Sequence, residues 1–132
     1  MKLILILSTA LIVFLFNSCI PTIDFGINLF PPKCEVTNIE EYDGSSMDFS
    51  KFAVTVKNEG FGRAYSTECD VILIKGDTVV DRSYSDFGEL DSGDSLKKEL
   101  WFTKVVNQTQ YDSYEITLYW YDDDGNDYSK EY

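Results

Sequence analysis

The side chains best suited to chemistry crowd one short stretch near the C-terminus. Asp122, Asp123, Asp124, Asn126 and Asp127 follow one another almost without interruption. Closely spaced carboxylates are hard oxygen ligands of the kind that hold Ca²⁺. Asp122-x-Asp124-Gly125 also echoes part of a calcium-binding loop. The distal Glu of an EF-hand is missing, and no helical pattern flanks the stretch. Asp-Gly between two alternating segments is by itself a strong hairpin signal. Two readings therefore stand here: a metal set of Asp122, Asp124 and Asp127, and a solvated turn.

Other reactive constellations are absent from the sequence. There is no His, which removes the commonest general base and metal ligand. Ser and Asp are plentiful, but no Gly-x-Ser-x-Gly elbow occurs. Glu40 and Glu41 are adjacent, so in a strand they point to opposite faces. No catalytic residue, no cofactor and no enzymatic activity are expected.

The elements that carry these residues read as strands throughout. Phe52-Ala-Val-Thr-Val-Lys57 and Ala64 to Ile74 alternate on either side of Asn58-Glu-Gly-Phe-Gly-Arg63, the pattern of two strands joined by a tight connection. Cys34 to Ile39 forms the first strand of the series. Lys75-Gly76-Asp77 turns the chain into a fourth strand, Thr78 to Tyr84. Gly88, Leu90 and Asp91-Ser-Gly-Asp94 read as a polar connection. The fifth strand runs Leu96 to Thr103, the sixth Tyr114 to Tyr121 and the last, an edge strand, Asn126 to Tyr132, with a loop over Val105 to Tyr111. Phe52, Val54, Val56, Cys69, Val71, Leu73, Leu100, Phe102, Ile116, Leu118 and Trp120 take the inward positions. The fold class is thus all-β, an antiparallel sandwich of about seven strands over residues 34–132.

The same parity turns Ile72 and Ile74 of the third strand outward, with Tyr119 and Tyr121 of the sixth. Those strands are expected to be neighbours in the sandwich. The four residues are then candidates for one exposed apolar interaction patch. Ile23-Asp-Phe-Gly-Ile-Asn-Leu29 alternates as well, within a 19–33 tether that carries three prolines. Its apolar side chains are candidates to cover that patch as an extra docked strand.

The first eighteen residues are different in kind. Lys2 supplies a short positive start, and Leu3 to Phe16 is almost wholly apolar. This is the form of an export signal rather than of a permanent span. Phe16-Asn-Ser-Cys19 resembles the lipobox of bacterial lipoproteins. That resemblance implies a lipid anchor on Cys19 and a cell-envelope location. Ile20 in place of the Asp retention residue points to the outer membrane, facing either the periplasm or the surface. Without residues 1–18 the chain has ten basic and 23 acidic residues, a net charge of −13. Such a domain repels phosphate backbones, so nucleic acid is excluded as a partner, and it also repels an anionic bilayer, leaving the lipid as anchor. Lipidation of Cys19 leaves Cys34 and Cys69 in an oxidising compartment. They are expected either to pair as a disulfide or to lie as two buried thiols.

Val56-Lys-Asn-Glu-Gly60, Lys75-Gly-Asp77, Leu90-Asp-Ser-Gly-Asp-Ser95 and Asp112-Ser-Tyr-Glu-Ile116 together are similar to the immunoglobulin-like modules of the CARDB and FxLYD families. Gly60 and Gly62 are expected to supply backbone angles closed to other residues. Tyr114 is expected to bond nearby backbone through its hydroxyl, as tyrosine corners do. The resemblance covers residues 34–132 and implies a non-catalytic adhesion, spacer or binding unit. An envelope protein or a glycan is then the expected partner. The competing expectation is a small envelope inhibitor or immunity-type lipoprotein that blocks an enzyme through its acidic loops.

Overall fold

The computed structural model describes residues 30–44 and 49–132. The expected signal segment, Cys19 and the alternating 23–29 stretch lie outside the described residues. Among the described residues seven strands form: β1 (Cys34–Tyr42), β2 (Lys51–Asn58), β3 (Ala64–Lys75), β4 (Thr78–Leu90), β5 (Ser95–Trp101), β6 (Ser113–Tyr121) and β7 (Asp127–Glu131). They build two sheets, β1-β2-β5 and β4-β3-β6-β7, and every pairing is antiparallel. This is the all-β antiparallel sandwich that the alternation predicts, with the fourth strand beside the third. Among the described residues no helix is long and apolar enough to cross a membrane.

Period-two patterning decides which side chains meet between the sheets. Phe52, Val54 and Val56 from one sheet face Cys69, Val71, Leu73, Ile116 and Leu118 from the other, all fully buried. Phe52 is the aromatic centre of one end. Its ring is 5.2 Å from Phe102 and 5.0 Å from Tyr114, both edge-on, the arrangement that ring quadrupoles favour. At the other end Trp120 stacks on Tyr128 at 5.7 Å.

Two buried polar side chains tie the sheets together. Asn58, at the end of β2, is fully buried. Its Oδ1 accepts from Lys33 N and Gly60 N, each at 3.0 Å. Its Nδ2 donates to Gly62 O at 2.7 Å and Leu90 O at 2.9 Å. One amide thus binds the N-terminal strap, the β2–β3 turn and the end of β4. Asp81, in β4, does the same at the opposite end. Its Oδ2 accepts from the successive N–H groups of Thr103, Lys104 and Val105, at 2.9, 2.6 and 3.1 Å, while Oδ1 accepts from Arg82 N. Carboxylate oxygens are strong acceptors for such converging amides.

Several sequence expectations are corrected. The fourth strand does not stop at Tyr84 but continues to Leu90, because Phe87 and Leu90 are core residues and Gly88 takes a positive φ of 70° beside a register shift opposite Thr67. The 105–111 loop contains a single 3₁₀ turn, Gln108–Gln110, closed by a capping box between Asn107 and Gln110. Gly60 and Gly62 do not adopt positive φ. They are needed for space. A Cβ on Gly60 would lie 2.4 Å from Pro31 O and Lys33 N, and one on Gly62 would lie 2.3 Å from Phe30 O. The strap of residues 30–33 is packed directly on the turn, with Pro32 O accepting from Trp120 Nε1. Tyr114 contributes its ring to Phe52, and the hydroxyl bond is made instead by Tyr111, to Glu41 Oε2 at 2.5 Å.

Candidate binding face

Inward burial of Cys69, Val71, Leu73, Ile116 and Leu118 turns Glu68, Asp70, Ile72, Thr117, Tyr119 and Tyr121 to the outer face of the four-stranded sheet. β4 adds Arg82, Tyr84 and Asp86 to that face, since Asp81 and Ser83 point inward and are buried. Register sets their neighbours. Tyr84 lies opposite Asp70, and Asp70 opposite Thr117. On the next rung Asp86, Glu68 and Tyr119 lie side by side.

These two rungs enclose a shallow groove of about 200 Å³, lined by Glu68, Cys69, Asp70, Arg82, Tyr84 and Tyr119. Tyr84 and Tyr119 present exposed rings, at 76% and 42% accessibility. Arg82 grips Asp70 through two parallel bonds, Nε to Oδ1 at 2.8 Å and Nη2 to Oδ2 at 2.7 Å. A forked pair of this kind fixes both side chains more firmly than a single bond. Glu68 makes no ion pair among the described residues, and it faces the like charge of Asp86 across the strand. Such like-charge neighbours cost stability.

The expected patch is divided by this register. All four residues do face outward, and β3 is the neighbour of β6. However, Ile72 pairs with Glu115 and Ile74 with Ser113, whereas Tyr119 pairs with Glu68 and Tyr121 with Tyr65. The Asp70–Thr117 rung separates the two halves. Antiparallel pairing runs the strands in opposite directions, so late positions on β3 meet early positions on β6. The isoleucines are half-buried; the tyrosines are exposed.

The acidic turn is organised from within. Asp122 is buried, and its Oδ1 accepts from Asp124 N at 3.0 Å and Asn126 N at 2.8 Å. Its Oδ2 accepts from Asn126 Nδ2 and the Tyr128 hydroxyl, both at 2.9 Å. Gly125 closes the hairpin with a φ of 80°. Oxygens of Asp122, Asp123 and Asp124 can lie within 4.8 Å of one another. Asp127 is not in that group. It stands on β7 opposite Tyr121, so the set Asp122, Asp124 and Asp127 is not brought together. The four bonds on Asp122 account for that side chain as the turn's internal scaffold.

Cys34 and Cys69 are both buried free thiols. Burial pushes Cys34 up to about 11, with the Thr67 hydroxyl pulling in the opposite direction, and pushes Cys69 up to about 12. Neither is a nucleophile at neutral pH, because a thiol reacts as its thiolate.

The outer face of the three-stranded sheet is built differently. Lys51 bonds Glu99 at 2.6 Å, and Lys97 bonds Glu40 at 2.7 Å. Lys57 lies 3.7 Å from Glu59. Lys51 also sits over the rings of Trp101 and Tyr42, at 4.7 and 5.3 Å. Lys97 holds the Glu40 carboxyl below the usual range, with help from the Tyr42 hydroxyl. Glu35 is held down to about 2, chiefly by Lys130, with Tyr132 and Lys33 adding to it against the effect of burial.

Sequence reading did not single out Glu68, Arg82 or Tyr84. Alternation in Glu68-Cys-Asp-Val and in Arg82-Ser-Tyr-Ser carries the signal for which side they face. Only the register shows that they share a groove. No protein-family model matches the chain, and no curated protein matches it.

Proposed function

We propose that this protein is a lipid-anchored, non-catalytic binding or adhesion module of a bacterial cell envelope. The observation that carries the reading is the apolar segment Leu3 to Phe16 ending in Phe16-Asn-Ser-Cys19. A diacyl anchor on that cysteine holds a domain at a membrane without a spanning helix. Ile20 after the cysteine supports the outer membrane as its site. The sandwich fold supports a binding role, since such domains present faces and loops rather than deep clefts. The groove between Tyr84 and Tyr119 is the surface best formed for it. Replacing Cys19 with Ser tests the reading. The variant is expected to leave the membrane fraction and appear in the soluble envelope fraction. A Cys19→Ser protein that stays as firmly membrane-bound as the parent contradicts the anchor.

A second reading is an envelope inhibitor that acts through acidic loops. It draws on the exposed carboxylates of Asp91 and Asp94 in one turn and Asp123 and Asp124 in another. Recovery of a single envelope hydrolase with the full-length protein, lost when those four become Asn, favours this second reading.

A further inference from the structure

We infer that the groove on the four-stranded sheet receives a lysine or arginine side chain from a basic polypeptide segment. The inference rests on the binding-module reading but not on the anchor. On the three-stranded face, Lys51 lies between a carboxylate, Glu99, and two aromatic rings, Trp101 and Tyr42. The groove on the other face offers the same components: Glu68 with the rings of Tyr84 and Tyr119. The cation lining this groove, Arg82, is held at its side by Asp70 through both prongs. Glu68 is left without an ion pair among the described residues.

Charge across the face points the same way. By parity and register it carries Glu68, Asp70, Asp86, Glu115, Asp127 and Glu131 against Arg82, and Arg63 at the sheet's end is taken up by Glu89 and Asp91. An incoming ammonium or guanidinium would relieve the Glu68–Asp86 repulsion and meet two ring faces at once. A neutral sugar stacks on tyrosine but leaves that repulsion in place. An anionic surface adds to it. The partner chemistry that complements the groove is therefore cationic, and the flanking carboxylates favour further basic residues on either side of the one inserted.

The test uses the full chain in detergent and a fluorescein-labelled peptide of alternating lysine and glycine, read by anisotropy. Binding is expected, and Tyr84→Ala with Tyr119→Ala together should weaken it about tenfold, each ring contributing a few-fold. Glu68→Gln should weaken it about threefold. Asp123→Asn with Asp124→Asn removes more charge at the exposed hairpin and should change affinity by less than about twofold, because that site lies outside the groove. Both tyrosines are on the surface, and unchanged melting temperatures establish that the variants fold. Equal losses from the hairpin and groove variants would show attraction by net charge alone and overturn the inference. Failure to bind the lysine peptide, with Tyr84-dependent binding of an N-acetylglucosamine oligomer, would overturn it while leaving the binding-module reading intact. If neither probe binds, the inference fails and the groove gives the broader reading no support.

Discussion

The two outer faces of this sandwich are made from similar residues and finished differently. On the three-stranded face Lys51, Lys57 and Lys97 each have a carboxylate partner on the same sheet or the adjoining turn. Ala53, which points outward, is only 1% exposed between Glu40 and Glu99. On the four-stranded sheet Arg82 meets Asp70, and Arg63 at its end meets Glu89 and Asp91, while Glu68 and Asp86 stand beside exposed tyrosines without an ion pair among the described residues. Long paired side chains can close a sheet surface by themselves. Where pairing is incomplete, the surface is left able to bind. On the binding reading proposed above, recognition falls on the four-stranded sheet, where Glu68 has no ion pair among the described residues.

The largest expected effects come from breaking what both faces share. Asn58→Ala would strand Lys33 N, Gly60 N, Gly62 O and Leu90 O, and should destabilise the fold by about 3–5 kcal/mol in urea unfolding. Both faces would be lost together, since this amide joins elements of both sheets. Asp81→Ala, which orphans three successive N–H groups, should cost about 2–4 kcal/mol by the same measurement. A loss below about 1 kcal/mol at either position would contradict their assignment as ties.

Acid next tests the edge where β1 of one sheet meets β7 of the other. The Glu35 carboxyl sits at about 2 when folded against an ordinary value of 4.5. A depressed folded value gives stability that is present above the unfolded value and lost as pH falls toward the folded one. Stability should therefore decline between about pH 4.5 and 2, and Glu35→Gln should flatten that part of the profile. Unchanged pH dependence in the variant would show that the Lys130, Tyr132 and Lys33 contacts do not hold the carboxylate in solution.

The smallest effects should have opposite signs on the two faces. Lys51→Met removes an ion pair and two ring contacts and should lower stability by about 1 kcal/mol. Glu68→Lys converts a like-charge neighbour of Asp86 into an opposite one and should raise stability by about 0.5 kcal/mol. Thermal melts of the two variants under one buffer condition check the comparison directly. Destabilisation by both would mean that the four-stranded face is not carrying excess negative charge.

Much of this architecture was legible in the sequence because burial in a sheet leaves a period of two. Val54 and Val56, Cys69 to Leu73, and Ile116 to Trp120 announce their strands and their inward sides. Longer-range features were less visible. Phe87 was hidden in Asp86-Phe-Gly88, which reads locally as a turn. Asn58 stood out within Val56-Lys-Asn-Glu-Gly60, but its glycines serve the approach of residues 30–33 rather than a special φ. Asp81 gave no local signal, because its amide partners lie more than twenty positions downstream. Parity identified Tyr119 and Tyr121 as outward. The rung on which each meets its neighbour depends on pairing register, which alternation does not encode.

The most direct test is amide shift mapping of the ¹⁵N-labelled protein in detergent during titration with the lysine-glycine peptide. Saturable shifts are expected, concentrated at Glu68, Asp70, Arg82, Tyr84 and Tyr119, with Lys51, Glu99 and Trp101 unmoved. Shifts centred instead on the three-stranded face or on the Asp123–Asp124 hairpin would contradict that expectation, and so would their absence at saturating peptide.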